Sequence, residues 1–427
     1  MTTWLLHRSE LTPDQLRVVE MPPDENRLVL GPPGSGKTQI LVHRAAHLAA
    51  TYNVQPARYR AFVFTNVIRE YIRSGFEFLG LPDETVSTLD FWTTAIYEKY
   101  FSRRLPRTER GKSIDFPKIR RDVLSVIRTR KEQRNTLEFV LVDEGQDLGP
   151  ETYEILSLAA RHVTVFVDPH QKIFEEGADE SFIREKLGMA ARQVSLLAAY
   201  RNAPYVAHLA SHFIADAEKR SQYLAQVQVE QKVRERPLLF IASTYERELD
   251  RLAEIVRQRQ VLNERIGIIV PTNRLLHGIA SGLEERGIVV EKAIKIGEGA
   301  KVRIACDFGN LVPKIATFHM AKGLTFDSVL LPRLTEKAYQ WTKRPQRGRM
   351  LFVGIARATQ WVYLSTVGGL GFEEIAVLRE AAAQGHLTIQ EDAGTGDARK
   401  ARGDDESRGQ KDGRTAPDTD DDEFSVL

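Results

Sequence analysis

The sequence predicts an α/β protein of two parallel-sheet lobes, followed by an unstructured acidic tail. Three observations predict it. A glycine-rich stretch, Gly31-Pro32-Pro33-Gly34-Ser35-Gly36-Lys37-Thr38, lies between an apolar run and a helical pattern. Further apolar runs end in polar residues, as strands buried on both faces and bearing a ligand beyond their C-terminal ends do. Amphipathic helical stretches separate these runs in both halves, which is the alternation of a parallel sheet.

The glycine-rich stretch comes first because its context is complete. Arg27-Leu28-Val29-Leu30 reads as the strand before it, and Ile40, Leu41, Ala45 and Leu48 mark one face of the helix after it. Strand, glycine turn and helix are what a phosphate-binding loop requires. Glycines let consecutive N–H groups turn inward without Cβ clashes, and the helix N-terminus adds its positive dipole end. Lys37 is placed to reach the β- and γ-phosphates, and the Thr38 hydroxyl to hold Mg²⁺.

Upstream, Leu11-Thr12-Pro13-Asp14-Gln15-Leu16 reads as a helix start, with Thr12 as cap and Pro13 in the first turn. The Gln15 amide both donates and accepts, which suits the N6 and N7 edge of adenine. Downstream strands are expected at 60–64, 137–142 and 162–167. They end at Thr65-Asn66, at Asp143-Glu144-Gly145-Gln146-Asp147, and at Asp168 followed by Gln171. Asp143 emerges at the sheet edge, where a carboxylate meets Mg²⁺. Glu144 is placed to orient or deprotonate an attacking water.

A second α/β half follows. Strands are expected at 237–242, 266–270, 314–318, 328–331 and 361–365, with helices at 245–257, about 273–286 and about 350–358. It has no phosphate loop of its own. It offers Arg201 and Arg357, which would reach a nucleotide from across a cleft. The expected organisation is a first domain over 1–200 with a small basic insertion at 100–136, a second over 201–388, and a tail over 389–427.

A chain of 427 residues with 42% hydrophobic and 28% charged residues fits a soluble two- or three-domain protein. Its single cysteine, Cys306, excludes an intramolecular disulfide. No stretch reads as a secretory leader or a membrane span, so a cytoplasmic location is expected. From Glu391 to Leu427 there are 12 acidic and 6 basic residues, a net of −6. The net charge of +2 therefore leaves the body near +8. That balance is compatible with a polyanion partner.

Taken in order, these motifs resemble those of superfamily 1 helicases of the UvrD/Rep/PcrA family. LTPDQ resembles the Q-motif, GPPGSGKT motif I, FVFTN motif Ia, VSTLDFW motif Ib and DEGQD motif II. VDPHQKIF resembles motif III, LLAAYRN motif IV, IATFHMAKGLTFDSVLL motif V and MLFVGIARATQWVYL motif VI. The resemblance covers about residues 10–370. It implies two RecA-like P-loop lobes, hydrolysis of ATP with Mg²⁺, and movement along single-stranded DNA, 3′ to 5′, in repair or in defence against foreign DNA.

The resemblance also implies roles. Gln15, Gly31, Pro32, Pro33, Gly34, Ser35, Gly36, Lys37, Thr38 and Gln39 would hold the nucleotide, with Arg201, Gly323 and Arg357 from the second half. Thr38 and Asp143 would hold the metal. Lys37, Glu144, Gln171, Arg201 and Arg357 would be catalytic. Thr65, Asn66, Thr88, Phe174, Thr317 and His319 would meet single-stranded DNA or a single/double-strand junction.

The chain departs from the family in places. Glu175 and Glu176 follow Phe174 where a stacking aromatic is usual. Thr325 replaces a glutamate, Ala356 a threonine and Asp90 a histidine. Both large family insertions are reduced to short segments. The alternative is a nucleotide-dependent switch that regulates a protein partner without unwinding.

Overall fold

A computed structural model describes residues 4–108, 113–168, 180–197, 203–226, 235–296, 303–368 and 371–392. Two parallel sheets with flanking helices make up the fold, as two RecA-like lobes do. The first sheet holds β1 (Arg27–Leu30), β2 (Tyr59–Val63), β3 (Val86–Thr88), β4 (Leu137–Val142), β5 (Ala160–Val167) and β6 (Val194–Leu196). Their order is β3-β2-β4-β5-β1-β6, and every pairing is parallel. The second sheet holds β7 (Leu238–Ala242), β8 (Ile266–Val270), β9 (Glu291–Lys292), β12 (Lys314–Thr317), β13 (Phe326–Leu331), β14 (Ala358–Val367) and β15 (Thr388–Glu391). Its order is β15-β7-β14-β13-β8-β12-β9, again all parallel. Between β9 and β12 a two-stranded hairpin, β10 (Lys295–Ile296) with β11 (Arg303–Ile304), stands apart from both sheets.

The helices of the first lobe are α1 (Pro13–Glu20), α2 (Lys37–Thr51), α3 (Asn66–Phe78), α4 (Leu89–Tyr100), α5 (Phe116–Thr129), α6 (Pro150–Ala159) and α7 (Glu180–Lys186). Those that follow are α8 (Pro204–Ser211), α9 (Ala217–Gln226), α10 (Tyr245–Val261), α11 (Asn273–Glu284), α12 (Phe318–Ala321), α13 (Arg344–Ile355) and α14 (Glu374–Ala383). Among the described residues no helix is long and apolar enough to cross a membrane.

The continuous apolar runs became central strands because both faces are covered. Leu137–Val142 is buried at five of six positions, and Ile266–Val270 at all five. Threonines punctuate the strand ends. Thr65, Thr88, Thr244, Thr272 and Thr317 each cap the following helix, the hydroxyl accepting an N–H of the first turn.

Within the basic stretch at 100–136, α5 is a packed helix. Ile119, Val123 and Ile127 of α5 are buried, and Arg120 reaches Asp90 of α4 at 2.6 Å. Asp90 thus anchors this helix. The second sheet also runs further than expected. Thr388–Glu391 forms its edge, and Asp392 accepts from Ser243 and Arg247. This corrects the start of the tail, because residues 388–391 continue an ordered sheet. The remainder, 393–427, lies outside the described residues.

Arg44 on α2 is a charge that sequence reasoning passed over. It is wholly buried, and its hydrogen-bond partners among the described residues are all neutral. Its guanidinium donates to the carbonyls of Val18, Val19 and Met21, to Thr164 Oγ1 and to His162 Nε2, at 2.7–3.2 Å. It therefore ties the end of α1 to α2 and β5, and burial lowers its pKa only to about 10. Arg44→Ala would orphan three buried carbonyls and leave a void. The expected loss is ~3–5 kcal/mol, read as a shift of the urea midpoint.

Candidate active site

The phosphate loop is built as the sequence implies. Gly31 N–H donates to Val167 O (3.1 Å), and Ser35 N–H to Pro32 O (3.2 Å), which closes the turn after β1. Gly34 and Gly36 have φ of 79° and 83°, the left-handed region where a Cβ is penalised. A Cβ on Gly36 would stand 2.6 Å from Gln15 Nε2. Gln15 is 2% exposed; it donates to Ser35 O at 2.9 Å and accepts from Thr12 N–H at 3.0 Å. Its amide braces the loop, leaving one N–H and one lone pair for a base. Gln39, on the first turn of α2, points elsewhere. Its amide is engaged with Trp4 O and Leu6 N–H, so its side chain secures the N-terminal segment.

Lys37 and Thr38 open α2 directly above the ends of β4 and β5. Lys37 Nζ lies 2.7 Å from Gly31 O, 3.1 Å from Pro32 O and 3.3 Å from Asp168 Oδ2. Thr38 Oγ1 donates to Asp143 Oδ2 at 3.1 Å. A hydroxyl and a carboxylate side by side next to a phosphate cradle are hard oxygen donors, the set that Mg²⁺ takes with phosphates. The residues fit that ion.

Glu144 has φ +50°, unusual for a residue with a side chain. The turn it makes lets Gln146 double back. Gln146 Nε2 donates to Glu144 Oε2, and its Oε1 accepts from Asp168 N–H at 3.0 Å. One buried amide thus links the ends of β4 and β5. Strain held by such a network is typical of functional turns.

The second lobe meets this turn from the other side. Lys322, just past α12, is buried and donates to Asp147 Oδ2 across the cleft, with side-chain exposures of 1% and 0%. Gly323 has φ +79°. A Cβ there would come within 2.7 Å of Ile68 on α3 and 3.9 Å of Glu144 Oε1. Only a bare backbone allows that approach. Arg357, 6% exposed between α13 and β14, rests on the carbonyls of Val353 (3.2 Å) and Leu324 (3.5 Å).

The electrostatics separate the two adjacent carboxylates. Burial raises the pKa of Glu144, but Lys322, Lys37 and Arg357 together outweigh it and hold the carboxyl below its ordinary value. Burial and the neighbouring Glu144 charge push Asp143 up to about 7, against the pull of Lys37 and the Thr38 hydroxyl. Paired groups with divergent pKa values are how sites divide acid, base and metal duties. The charge of Arg357 in the second lobe thus acts on Glu144 of the first. Tyr223 of α9 is fully buried, within electrostatic reach of Asp168 and Arg357. Burial and Asp168 raise its pKa, and Arg357 lowers it.

The remaining expected residues fall into two groups. Thr65, Thr88 and Thr317 cap helices, so each lies where a helix N-terminus faces the C-terminal edge of its sheet. Asn66 opens α3 beside Thr65. His319 is exposed on α12 and meets Phe64 of the first lobe edge-on, at 6.1 Å between ring centroids. Gln171, Phe174 and Arg201 lie outside the described residues. Sequence reasoning missed Gln146, Asp147, Lys322 and Tyr223. The first three sit inside the quoted motifs, where their polar character within near-apolar surroundings was the available signal. Tyr223 had none.

Comparison with known proteins agrees with this P-loop lobe. Residues 15–176 match the family described as AAA domain. No curated relative matches the chain. Among solved structures, the C-terminal domain of a possible DNA helicase from Lactobacillus plantarum WCFS1 aligns with 45% of this chain and 99% of its own length. The identity is 17% and the TM-score 0.33. By the family match, residues 15–176 are similar to AAA domains.

Proposed function

We propose that the chain is an ATP-driven motor that moves along single-stranded DNA, 3′ to 5′, in the manner of UvrD-like helicases. The observation that carries this reading is convergence. Lys37, Asp143 and Glu144 of one lobe meet Lys322, Gly323 and Arg357 of the other around a single phosphate cradle. A site completed by two lobes couples the state of the nucleotide to their separation. When bound, Mg²⁺ would supply positive charge against the phosphates. Thr38 and Asp143 would hold that ion, Lys37 would hold the phosphates, and Glu144 would take the proton of the attacking water. Arg357, with Arg201 in the matching motif, offsets charge on the transferred phosphoryl group. The resemblance gives Gln171 the role of linking the γ-phosphate to the DNA groove. Thr65, Asn66, Thr88, Thr317 and His319 would line the strand, a role that the resemblance also gives to Phe174.

The switch reading draws on a different feature. The β10–β11 hairpin leads to Phe308, which packs edge-on against Tyr71 of α3 at 5.5 Å, and Tyr71 stacks on Trp4 at 4.0 Å. This apolar bridge joins the lobes away from the nucleotide. ATP turnover measured with single-stranded DNA, duplex DNA and RNA side by side separates the two readings. A motor shows strong stimulation by single strands that fades as salt rises, because phosphate contacts release counterions. Turnover indifferent to every nucleic acid would overturn the motor.

A further inference from the structure

The loop after β13 carries an indole that the fold holds out. Trp341 is 67% exposed, whereas Trp4 and Trp361 are 3% and 2% exposed and Trp92 is half-buried. The loop beneath it is pinned on both sides. Leu334 N–H donates to Ser365 O (2.9 Å), and Thr366 Oγ1 to Leu334 O (2.6 Å). Arg333 binds the buried carboxylate of Glu248 through both its backbone N–H and its Nε. On the other side Arg347 forks onto Glu336 and donates to the carbonyls of Thr342 and Tyr339. Tyr339 is 1% exposed and Thr342 9% exposed. A slack loop would fold its indole onto the surface. This one presents it.

Position and charge say what the ring meets. Residues 336–349 contain five basic residues and one acidic, a net of 5 − 1 = +4. The single carboxylate, Glu336, is engaged by Arg347. Lys337, Lys343 and Arg349 are exposed in the same segment as Trp341, as are the polar Gln340 and Gln346. An apolar protein face would need a wider greasy patch than one ring among cations. The loop leaves the C-terminal edge of the sheet, as α12 does. With β8 between them, β12 and β13 end about 10 Å apart. The Tyr339 ring meets that of Phe318, the residue between Thr317 and His319, at 6.2 Å.

We infer that Trp341 is a stacking platform for an unpaired base, with Lys337, Lys343 and Arg349 drawing in the flanking phosphates. This rests on the single-strand motor reading and names a contact within it. Every base has a π-face, so such a platform is tolerant of sequence, and one stacked base contributes ~1–3 kcal/mol.

The test is a titration of the full chain with oligo(dT), followed by tryptophan fluorescence and by anisotropy of a labelled strand. The wild type is expected to bind with quenching of the exposed indole. Trp341→Ala should lose that quenching and bind ~5- to 150-fold more weakly. Trp341→Phe should keep most of the affinity, and both variants should melt with the wild type. Wild-type-like binding by Trp341→Ala, or equal weakening by both variants, would overturn the platform while leaving the motor standing. Absence of oligo(dT) binding by the wild-type chain would remove both.

Discussion

Arg357→Ala is expected to lower ATP turnover by ~10³–10⁵-fold while changing nucleotide affinity only a few-fold. The expectation follows from where the guanidinium stands and what holds it. It is buried, braced by two backbone carbonyls of its own lobe, and its charge bears on Glu144 of the other. An arginine supplied from across a cleft acts most where charge develops during transfer. Removing it therefore takes away stabilisation present in the transition state more than in the ground state. Turnover measured under saturating ATP, alongside binding of a fluorescent ATP analogue, separates the two effects. Equal loss of rate and affinity would reduce Arg357 to a ground-state contact. Because the residue also supports Leu324 and Val353, a melting curve belongs beside the kinetics. Arg357→Lys should fold normally yet remain slow, since a point charge does not reproduce the planar fork.

How far the sequence revealed this site depends on which forces placed each residue. The first lobe was legible because its cues are local. Leu28–Leu30 enters a glycine turn, Lys37 opens a helix, and Asp143 ends an apolar run, so each position is set by its neighbours. The β3 and β6 strands were not legible. Val86–Thr88 and Val194–Leu196 are three residues each and become strands only by pairing with β2 and β1. The same holds for β15, whose polar Thr388-Ile389-Gln390-Glu391 reads as the start of a tail until β7 pairs with it. Gln15 and Gln39 show a subtler limit. Sequence spacing put both near the phosphate loop, which is where they are. Only the packing of Trp4, Leu6 and Ser35 decides that one braces the loop from below while the other turns away. Asp147 and Lys322 are 175 residues apart and meet across the cleft, a pairing that no local pattern encodes.

Glu144→Gln is expected to leave ATP bound and nearly unhydrolysed, with turnover down ~10²–10⁴-fold, the usual contribution of a general base. The substitution is close to isosteric. The amide oxygen still accepts from Gln146 Nε2, so the turn at φ +50° and its link to Asp168 persist. What disappears is the ionised carboxylate that Lys322, Lys37 and Arg357 hold below its ordinary pKa. A second consequence follows for Asp143. Its pKa stands near 7 partly because the Glu144 charge opposes its own ionisation. In the wild type, Mg²⁺-dependent nucleotide binding should weaken as pH falls through about 7, because Asp143 gains the proton it must lose to hold the cation. With Glu144 neutral, Asp143 ionises more readily, and the same weakening should move to lower pH. Binding of a fluorescent ATP analogue from pH 5.5 to 8.5, with Mg²⁺ and with EDTA, measures that displacement directly. A wild-type profile that is flat with Mg²⁺, or a variant whose midpoint moves upward, would break the electrostatic coupling between the two carboxylates. Retained hydrolysis in the variant would mean that another group takes the proton.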